Sequence, residues 1–179
     1  MHMATVTKRW TLEELHSLPD DGNKYELVRG ELFVTPAPTN EHETILARLT
    51  RILDPYVEAN GLGYVYHPRA VVRFDGCEVE PDLMVRQPLV RDDATWDDAS
   101  IPVLVVEVFS GSTRRRDQDQ KRSLYADAGV GEYWMIDPER RTITAVRQNA
   151  KDLVSSDHLS WSPPGASLPL VIDFRKLFG

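Results

Sequence analysis

The sequence has 179 residues and a single cysteine, Cys77, which excludes an internal disulfide and a zinc site built on cysteines. It has no apolar run as long as a membrane span, and no signal-peptide pattern opens it. Together these absences favour a reducing, cytoplasmic setting without a membrane partner. Positive charge is also scarce, because 21 Lys and Arg oppose 28 Asp and Glu. The net charge of -7 disfavours tight non-specific binding to nucleic acid through bulk charge, but it is compatible with a local basic patch or a metal ion that offsets phosphate charge.

What is present is typical of an ordinary globular chain, with 41% hydrophobic and 27% charged residues. This length fits one domain with a sizeable core. We expect a single domain over residues 1–179, with an N-terminal helix and hairpin at 11–35, a core at about 40–147 and a C-terminal extension at 148–179.

Local signals predict a mixed α/β fold. Thr11 precedes Glu14 by three residues, which is a capping box for a short helix. Arg29-Gly30 and Asp75-Gly76 each separate two short apolar segments and predict hairpins. A long helix is expected from about Asn40, because apolar residues then recur at helical spacing. Helices and strands in this order indicate a mixed sheet flanked by helices.

Side chains alternate across a strand, and this rule assigns the acidic residues of two apolar segments to defined faces. In CEVEPDLMV, read as one strand, Asp82 shares a face with Glu78 and Glu80, which are expected to be solvated. In PVLVVEVFS, Glu107 is the one carboxylate in an apolar run. If the two strands are neighbours in register, Asp82 and Glu107 meet, and they would repel each other unless a cation lies between them. Mg²⁺ is the natural candidate, since one or two carboxylates with water and phosphate oxygens suffice to hold it.

Lys121 is the lysine that would complete a phosphodiester-cleaving site. It lies at i+4 from Asp117 and four residues before Tyr125, on one face of a helix predicted over about 113–128. A lysine beside paired carboxylates would orient or deprotonate water, or stabilise the charge that develops on phosphate. The alternative for Lys121 is a solvated lysine paired with Asp117. For Glu107 the alternative is a strand-end carboxylate paired with an arginine.

The same helix opens with three arginines, Arg114, Arg115 and Arg116, at the positive end of the helix dipole, where cations are unfavourable. Its first two turns contain no apolar residue, so they are not expected to pack into the core. An arriving anion such as a nucleic-acid backbone would explain both features. We therefore predict that these arginines bind nucleic acid.

Four further residues are auxiliary candidates. Glu26 and Glu31 flank the hairpin turn, and either is a candidate for an extra acid near the metal, with an exposed hairpin carboxylate as the equally supported alternative. His42, near a helix start, is interpreted as a residue behind the metal ligands or in contact with substrate. Tyr125 is expected to orient Lys121 or to pack behind it. The run RDDATWDDAS is predicted to be an acidic loop.

Taken in order, YELVRGEL, PDLMV, VVEVFSGST, the D…K…Y helix and GVGEYWMID resemble a bacterial putative restriction endonuclease family of the PD-(D/E)XK nuclease superfamily. The resemblance covers roughly residues 11–137. It implies a restriction-endonuclease-like α/β core and a mixed central sheet flanked by helices, with the N-terminal helix and hairpin as an addition. It also implies that Asp82 and Glu107 hold Mg²⁺, or Mn²⁺ in its place. In one departure, Phe109 stands where the superfamily usually has lysine, so Lys121 would have to supply the amine.

The leading hypothesis is therefore a Mg²⁺-dependent endonuclease that hydrolyses the phosphodiester bonds of DNA. A homodimer would suit this function, because cutting two strands favours two sites. One alternative is a catalytically inactive nuclease-fold protein that binds nucleic acid or a protein partner, as Phe109 and the net negative charge would allow. Another is a hydrolase that acts on a different phosphorylated substrate.

Overall fold

The structure, a computed structural model, describes residues 8–88, 94–109 and 116–179, with backbone only for residues 116–118. Within these residues the α-helices are α1 Leu12–His16, α2 Asn40–Ala59, α3 Arg116–Asp127 and α4 Phe174–Phe178, and a short 3-10 helix covers Trp96–Asp98. The strands are β1 Lys24–Val28, β2 Glu31–Thr35, β3 Tyr64–Tyr66, β4 Val72–Phe74, β5 Cys77–Val79, β6 Leu83–Arg86, β7 Leu104–Val108, β8 Glu132–Asp137, β9 Thr142–Arg147, β10 Leu153–Ser155, β11 His158–Trp161 and β12 Leu170–Asp173.

The described strands form three sheets. The central sheet has six strands in the order β10-β9-β8-β7-β6-β3. It is mixed, because β7 and β8 are parallel and are joined through α3, while its other neighbours are antiparallel. A second sheet has the order β2-β1-β5-β4, and β11 pairs with β12 in a third. The predicted mixed α/β fold with an N-terminal helix and hairpin is thus confirmed.

The central sheet has a separate hydrophobic cluster on each face. Leu104, Val106 and Val108 of β7 join the cluster that includes the buried stripe of α2 and residues of β11, β12 and α4. Val105 joins the other cluster, which includes Leu124 of α3 and residues of β4 and β5. The alternation along β7 therefore directs Glu107 to the α3 side of the sheet.

Local sequence signals account for several element boundaries. The α1 capping box forms as predicted, with Thr11 and Glu14 bonded reciprocally. Arg29 and Gly30 both have positive φ, 51° and 83°, which is the geometry that two-residue hairpins require. The α2 helix begins at Asn40, as expected, and Thr39 caps it by accepting a hydrogen bond from the backbone N–H of His42.

The expectation of one continuous strand over CEVEPDLMV is wrong. The segment divides into β5, which belongs to the second sheet, and β6, which belongs to the central sheet. The break falls at Glu80-Pro81-Asp82, and proline disfavours a continuous strand because it has no N–H to donate. The break places Asp82 between the two sheets, at the start of β6.

Candidate active site

Asp82 and Glu107 lie close together, Asp82 directly before β6 and Glu107 near the end of the neighbouring strand β7. In the antiparallel register Leu83 pairs with Val106, so the next position along places Asp82 opposite Glu107. The two carboxylates are 6% and 7% exposed. Both line a cavity of about 550 Å³ between α2, the β1–β2 hairpin and the central sheet. Asp82 and Glu107 therefore lie opposite each other, as strand alternation predicted, although Asp82 directly precedes β6 and does not belong to it.

Asp82 is held by three donors from different elements. Its Oδ2 accepts hydrogen bonds from the backbone N–H of Val108 at 2.8 Å and from His42 Nε2 at 3.0 Å. Its Oδ1 accepts one from Lys24 Nζ at 3.1 Å. Burial alone would raise the pKa of Asp82, but the His42 bond and the Lys24 ammonium hold that pKa well below its ordinary value. Asp82 is thus a carboxylate that stays ionised, and His42 lies directly behind it.

Glu107 is bound by two residues of α3. Lys121 Nζ donates to Glu107 Oε1 at 2.9 Å, and the Tyr125 hydroxyl donates to the same oxygen at 2.8 Å. Lys121 also donates to Glu26 at 2.9 Å, and its own exposure is 8%. Lys121 is therefore buried between two carboxylates, contrary to the solvated alternative. Tyr125 therefore contacts the same Glu107 oxygen as Lys121, which it was expected to orient or to pack behind.

The charge around Lys121 fixes its protonation state. Burial would lower the pKa of Lys121, but Glu107 and Glu26 raise it well above its ordinary value. Burial raises the pKa of Glu107 in spite of Lys121 and Lys24. The ammonium is thus firmly protonated, and it acts as a hydrogen-bond donor between the two acids.

Lys24 is a site residue that the sequence analysis missed. Its ammonium donates to Asp82 and to the carbonyl oxygen of Glu80 at 3.0 Å, and its side chain is 17% exposed. Although burial opposes the shift, Glu26, Glu107 and Asp82 raise the pKa of Lys24. The sequence did contain a signal for Lys24. Lys24 and Glu26 are two residues apart on β1 and share a face, so a site that includes Glu26 would also include Lys24.

The donor set suits Mg²⁺ better than zinc. The described residues contain no group of three or more His, Cys, Asp or Glu arranged to hold a metal ion. Mg²⁺ does not require one, since it binds through one or two carboxylates and completes its shell with water and substrate oxygens. Three buried acids, Glu26, Asp82 and Glu107, here face two lysines, Lys24 and Lys121. Asp82 and Glu107 line one cavity, and such a pair of carboxylates fits a divalent cation.

The remaining candidates are placed as follows. Glu26 is 1% exposed and belongs to the site, whereas Glu31 accepts a bond from Gln120 at 3.3 Å and is not among the described residues that line the cavity. Arg114 and Arg115 lie outside the described residues, and only the backbone of Arg116 is described. Phe109, at the position where the resemblance led us to expect lysine, lines the cavity.

Away from the cavity, the expectation that Glu78 is solvated is wrong. Glu78 is 8% exposed and forms ion pairs with Arg73 and His16. Glu80 is partly buried, and its backbone N–H donates to Glu26 Oε1 at 2.9 Å. Both departures follow from the strand break, which turns this acidic segment toward the second sheet.

Comparisons with known proteins identify a family and a fold. Residues 12–174 match the model of the Uma2 family, described as putative restriction endonuclease. The fold is similar to that of a solved structure, titled a putative nuclease belonging to DUF820, from Anabaena variabilis ATCC 29413, with a TM-score of 0.73. That match covers 94% of this chain and 97% of the other at 20% identity, so it establishes a shared fold. A search of curated proteins found no match. None of the helices in the described part of the chain has the length and apolar character that a membrane-spanning segment requires.

Proposed function

This chain belongs to the Uma2 family of putative restriction endonucleases, and we propose that it is a divalent-metal-dependent endonuclease that hydrolyses the phosphodiester bonds of DNA. One observation supports this proposal above the others. Asp82 and Glu107 approach from neighbouring strands into one cavity, and the buried Lys121 ammonium donates to Glu107. Paired carboxylates with a fixed lysine are the parts that metal-assisted phosphodiester hydrolysis needs.

Asp82 and Glu107 are the proposed ligands of Mg²⁺ or Mn²⁺. When bound, the ion would neutralise charge on the scissile phosphate and favour ionisation of water. The neighbouring lysines keep the two acids from repelling each other before the ion arrives, because Lys24 contacts Asp82 and Lys121 contacts Glu107. The site can therefore form without metal.

Lys121 is proposed to donate hydrogen bonds to the attacking water or to the phosphate. Its raised pKa keeps it protonated near neutral pH, so a role as general base is disfavoured. Glu26 holds the other side of the ammonium, and Tyr125 fixes the Glu107 oxygen that the lysine contacts. Because Lys121 reaches Glu107 from α3, the amine is available despite Phe109 in the usual lysine position.

The substrate and the assembly follow from the same proposal. Arg114, Arg115 and Arg116 are proposed to contact the phosphate backbone, since in the sequence they lead into the helix that carries Lys121, which begins at Arg116. Cutting both strands of a duplex favours two such sites, and a homodimer would supply them.

The test is a cleavage assay on supercoiled plasmid, single-stranded DNA and RNA, with Mg²⁺, Mn²⁺ or EDTA. Wild type should cut DNA only with metal, and Glu107→Gln and Lys121→Met should each lower the rate by about 10²-fold or more. Glu132→Gln is the matched control, because Glu132 is a buried carboxylate on β8 that pairs with Arg147 away from the cavity. It should remain active.

Each unfavourable outcome has a distinct meaning. Undiminished cleavage by a folded Glu107→Gln variant would refute the assignment of the site. A folded wild type that cuts no DNA or RNA with either metal would refute the enzyme proposal. The inactive nuclease-fold protein, which binds nucleic acid or a protein partner, would then be the better explanation.

A further inference from the structure

The ammonium groups of Lys24 and Lys121 are held to different degrees. Lys121 donates to two buried carboxylates, one on each side of it. Lys24 donates to the Asp82 carboxylate at 3.1 Å and to the neutral carbonyl oxygen of Glu80 at 3.0 Å. Its side chain is 17% exposed against 9% for Lys121, and both residues line the cavity of the candidate active site. Lys24 is therefore the more loosely held of the two cations and the more accessible from the cavity.

The two carboxylate oxygens of Asp82 have different neighbours. Oδ2 accepts hydrogen bonds from the backbone N–H of Val108 and from His42 Nε2. These two bonds use the acceptor capacity of that atom, because each carboxylate oxygen offers about two lone-pair sites. Among the described residues, Oδ1 accepts one bond, from Lys24. Oδ1 is therefore the oxygen that Asp82 can offer to a metal ion, and Lys24 already occupies it.

The carboxylate of Glu107 is divided in the same way. Its Oε1 accepts hydrogen bonds from Lys121 Nζ and the Tyr125 hydroxyl, whereas no donor among the described residues bonds to Oε2. Glu107 Oε2 and Asp82 Oδ1 are thus the two oxygens that remain for a cation between these acids. A cation that binds both of them meets one competitor, Lys24, on the Asp82 side.

Lys24 and a divalent cation cannot share Asp82 Oδ1 without strong repulsion. Lys24 Nζ lies 3.1 Å from this oxygen, and Mg²⁺ binds oxygen at roughly 2.1 Å, so the two cations would be at most about 5 Å apart. Repulsion between a dication and an ammonium at that distance exceeds the attraction of one hydrogen bond to a charged group. The lysine side chain is flexible, and that of Lys24 borders open space in the cavity. It can therefore leave Asp82 while β1 stays in place.

We propose that Lys24 is an exchangeable counterion: it holds Asp82 Oδ1 in the metal-free protein, yields that oxygen to a divalent cation, and then turns its ammonium into the cavity. This inference rests on the proposed function, because it takes Asp82 and Glu107 as the metal ligands. Its consequence is an order of binding. Lys24 becomes available to a phosphate oxygen in the cavity after it has left Asp82, so metal binding precedes that contact.

The first test measures metal affinity without any substrate. The full chain is titrated with Mg²⁺ by calorimetry as wild type, Lys24→Met and Lys8→Met. Lys24→Met should bind Mg²⁺ roughly 10-fold more tightly than wild type, because wild type must first give up a hydrogen bond between charged groups. Lys8→Met, which alters an exposed lysine paired with Glu14, should bind Mg²⁺ as wild type does. Equal or weaker binding by Lys24→Met, or no binding by either protein, would overturn the proposal.

The second test separates displacement of Lys24 from simple charge repulsion, and it needs only wild type. Lysine amines are reductively methylated with formaldehyde and a borane, with and without Mg²⁺, and the modified residues are mapped by mass spectrometry. Lys24 should react faster with Mg²⁺, because its amine has left the ion pair. Lys121 should stay protected, since Glu26 still holds it. A Lys24 rate that Mg²⁺ leaves unchanged or lowers would refute displacement.

A crystal of wild type soaked in Mn²⁺ shows the exchange directly, and it serves if Lys24→Met does not fold. The anomalous peak should lie on Asp82 Oδ1, with Lys24 Nζ beyond hydrogen-bond distance of that oxygen. A Lys24 that still donates to Oδ1 beside bound Mn²⁺ would refute this inference alone, even if the protein cuts DNA. Release of Lys24 in a protein that cuts no nucleic acid would refute the endonuclease proposal and support the exchange.

Discussion

Replacing Lys121 by methionine should destabilise the metal-free protein strongly. The ammonium lies 2.9 Å from both Glu107 and Glu26, and each of these carboxylates is almost fully buried. Methionine fills a similar volume but leaves the two acids without that cation. Removing one partner of a buried ion pair costs about 3 to 5 kcal/mol. For a chain of this length that corresponds to a fall in melting temperature of roughly 10 °C.

The loss should depend on pH in a defined direction. Burial already raises the pKa of Glu107, and loss of Lys121 removes the main opposing charge, so the pKa rises further. When the pKa of a carboxyl is higher in the folded state than in the unfolded state, ionisation favours the unfolded state. The free energy of unfolding therefore falls as pH rises above 4.5, the pKa of Glu107 in the unfolded chain. The difference between wild type and variant should therefore be largest near pH 8 and shrink toward pH 5.

Magnesium should reverse part of the loss, because a bound cation replaces the missing positive charge. Melts in EDTA and in Mg²⁺ at matched ionic strength should show a larger Mg²⁺-dependent rise in Lys121→Met than in wild type. Lys151→Met, at an exposed position, is the control and should change neither value appreciably. A fall of less than about 2 °C in EDTA, which corresponds to about 1 kcal/mol or less, would refute the buried pairing of Lys121.

Three other perturbations test the remaining parts of the site. Asp82→Asn should lower metal-free stability, because it weakens the bonds to the cationic neighbours Lys24 and His42. It should also abolish the Mg²⁺-dependent rise in melting temperature. An equal rise in wild type and Asp82→Asn would place the ion elsewhere. Burial opposes but Asp82 raises the pKa of His42, so the stability that protonated His42 contributes is lost as pH rises through that raised pKa. The stability deficit of His42→Gln relative to wild type, measured in EDTA, should therefore shrink as pH rises from 6 to 9. A constant deficit would contradict this. Replacing Arg114, Arg115 and Arg116 together by Gln should reduce the salt slope of DNA binding by up to about three units in anisotropy titrations, and an unchanged slope would argue against phosphate contacts.

The sequence predicted the parts of the site that depend on local periodicity. Strand alternation placed Glu107 on one face of β7, and helical spacing placed Lys121 and Tyr125 on one face of α3. These inferences needed only the two periods of regular secondary structure. The partnership of Lys121 with Glu107 followed because α3 directly succeeds β7 in the chain and returns across it.

Long-range contacts account for what was missed. Lys24 reaches Asp82 across a separation of 58 residues, because β1 pairs with β5 in the second sheet and the chain then crosses to β6. No local pattern fixes that pairing. Pro81 indicated that the strand would break, but the course of the chain from β5 to β6 depends on how the two sheets pack against each other. The same crossing buried Glu78, which alternation alone assigned to solvent.

The buried charges of the cavity are difficult to explain by stability. Ion clusters of this kind often stabilise a fold no more than apolar residues of the same volume would, because desolvation offsets their attraction. Here Glu26, Asp82 and Glu107 are all nearly inaccessible, and Lys24 and Lys121 are committed to them. The arrangement therefore favours the proposed site for metal and phosphate over the packing of a structural core.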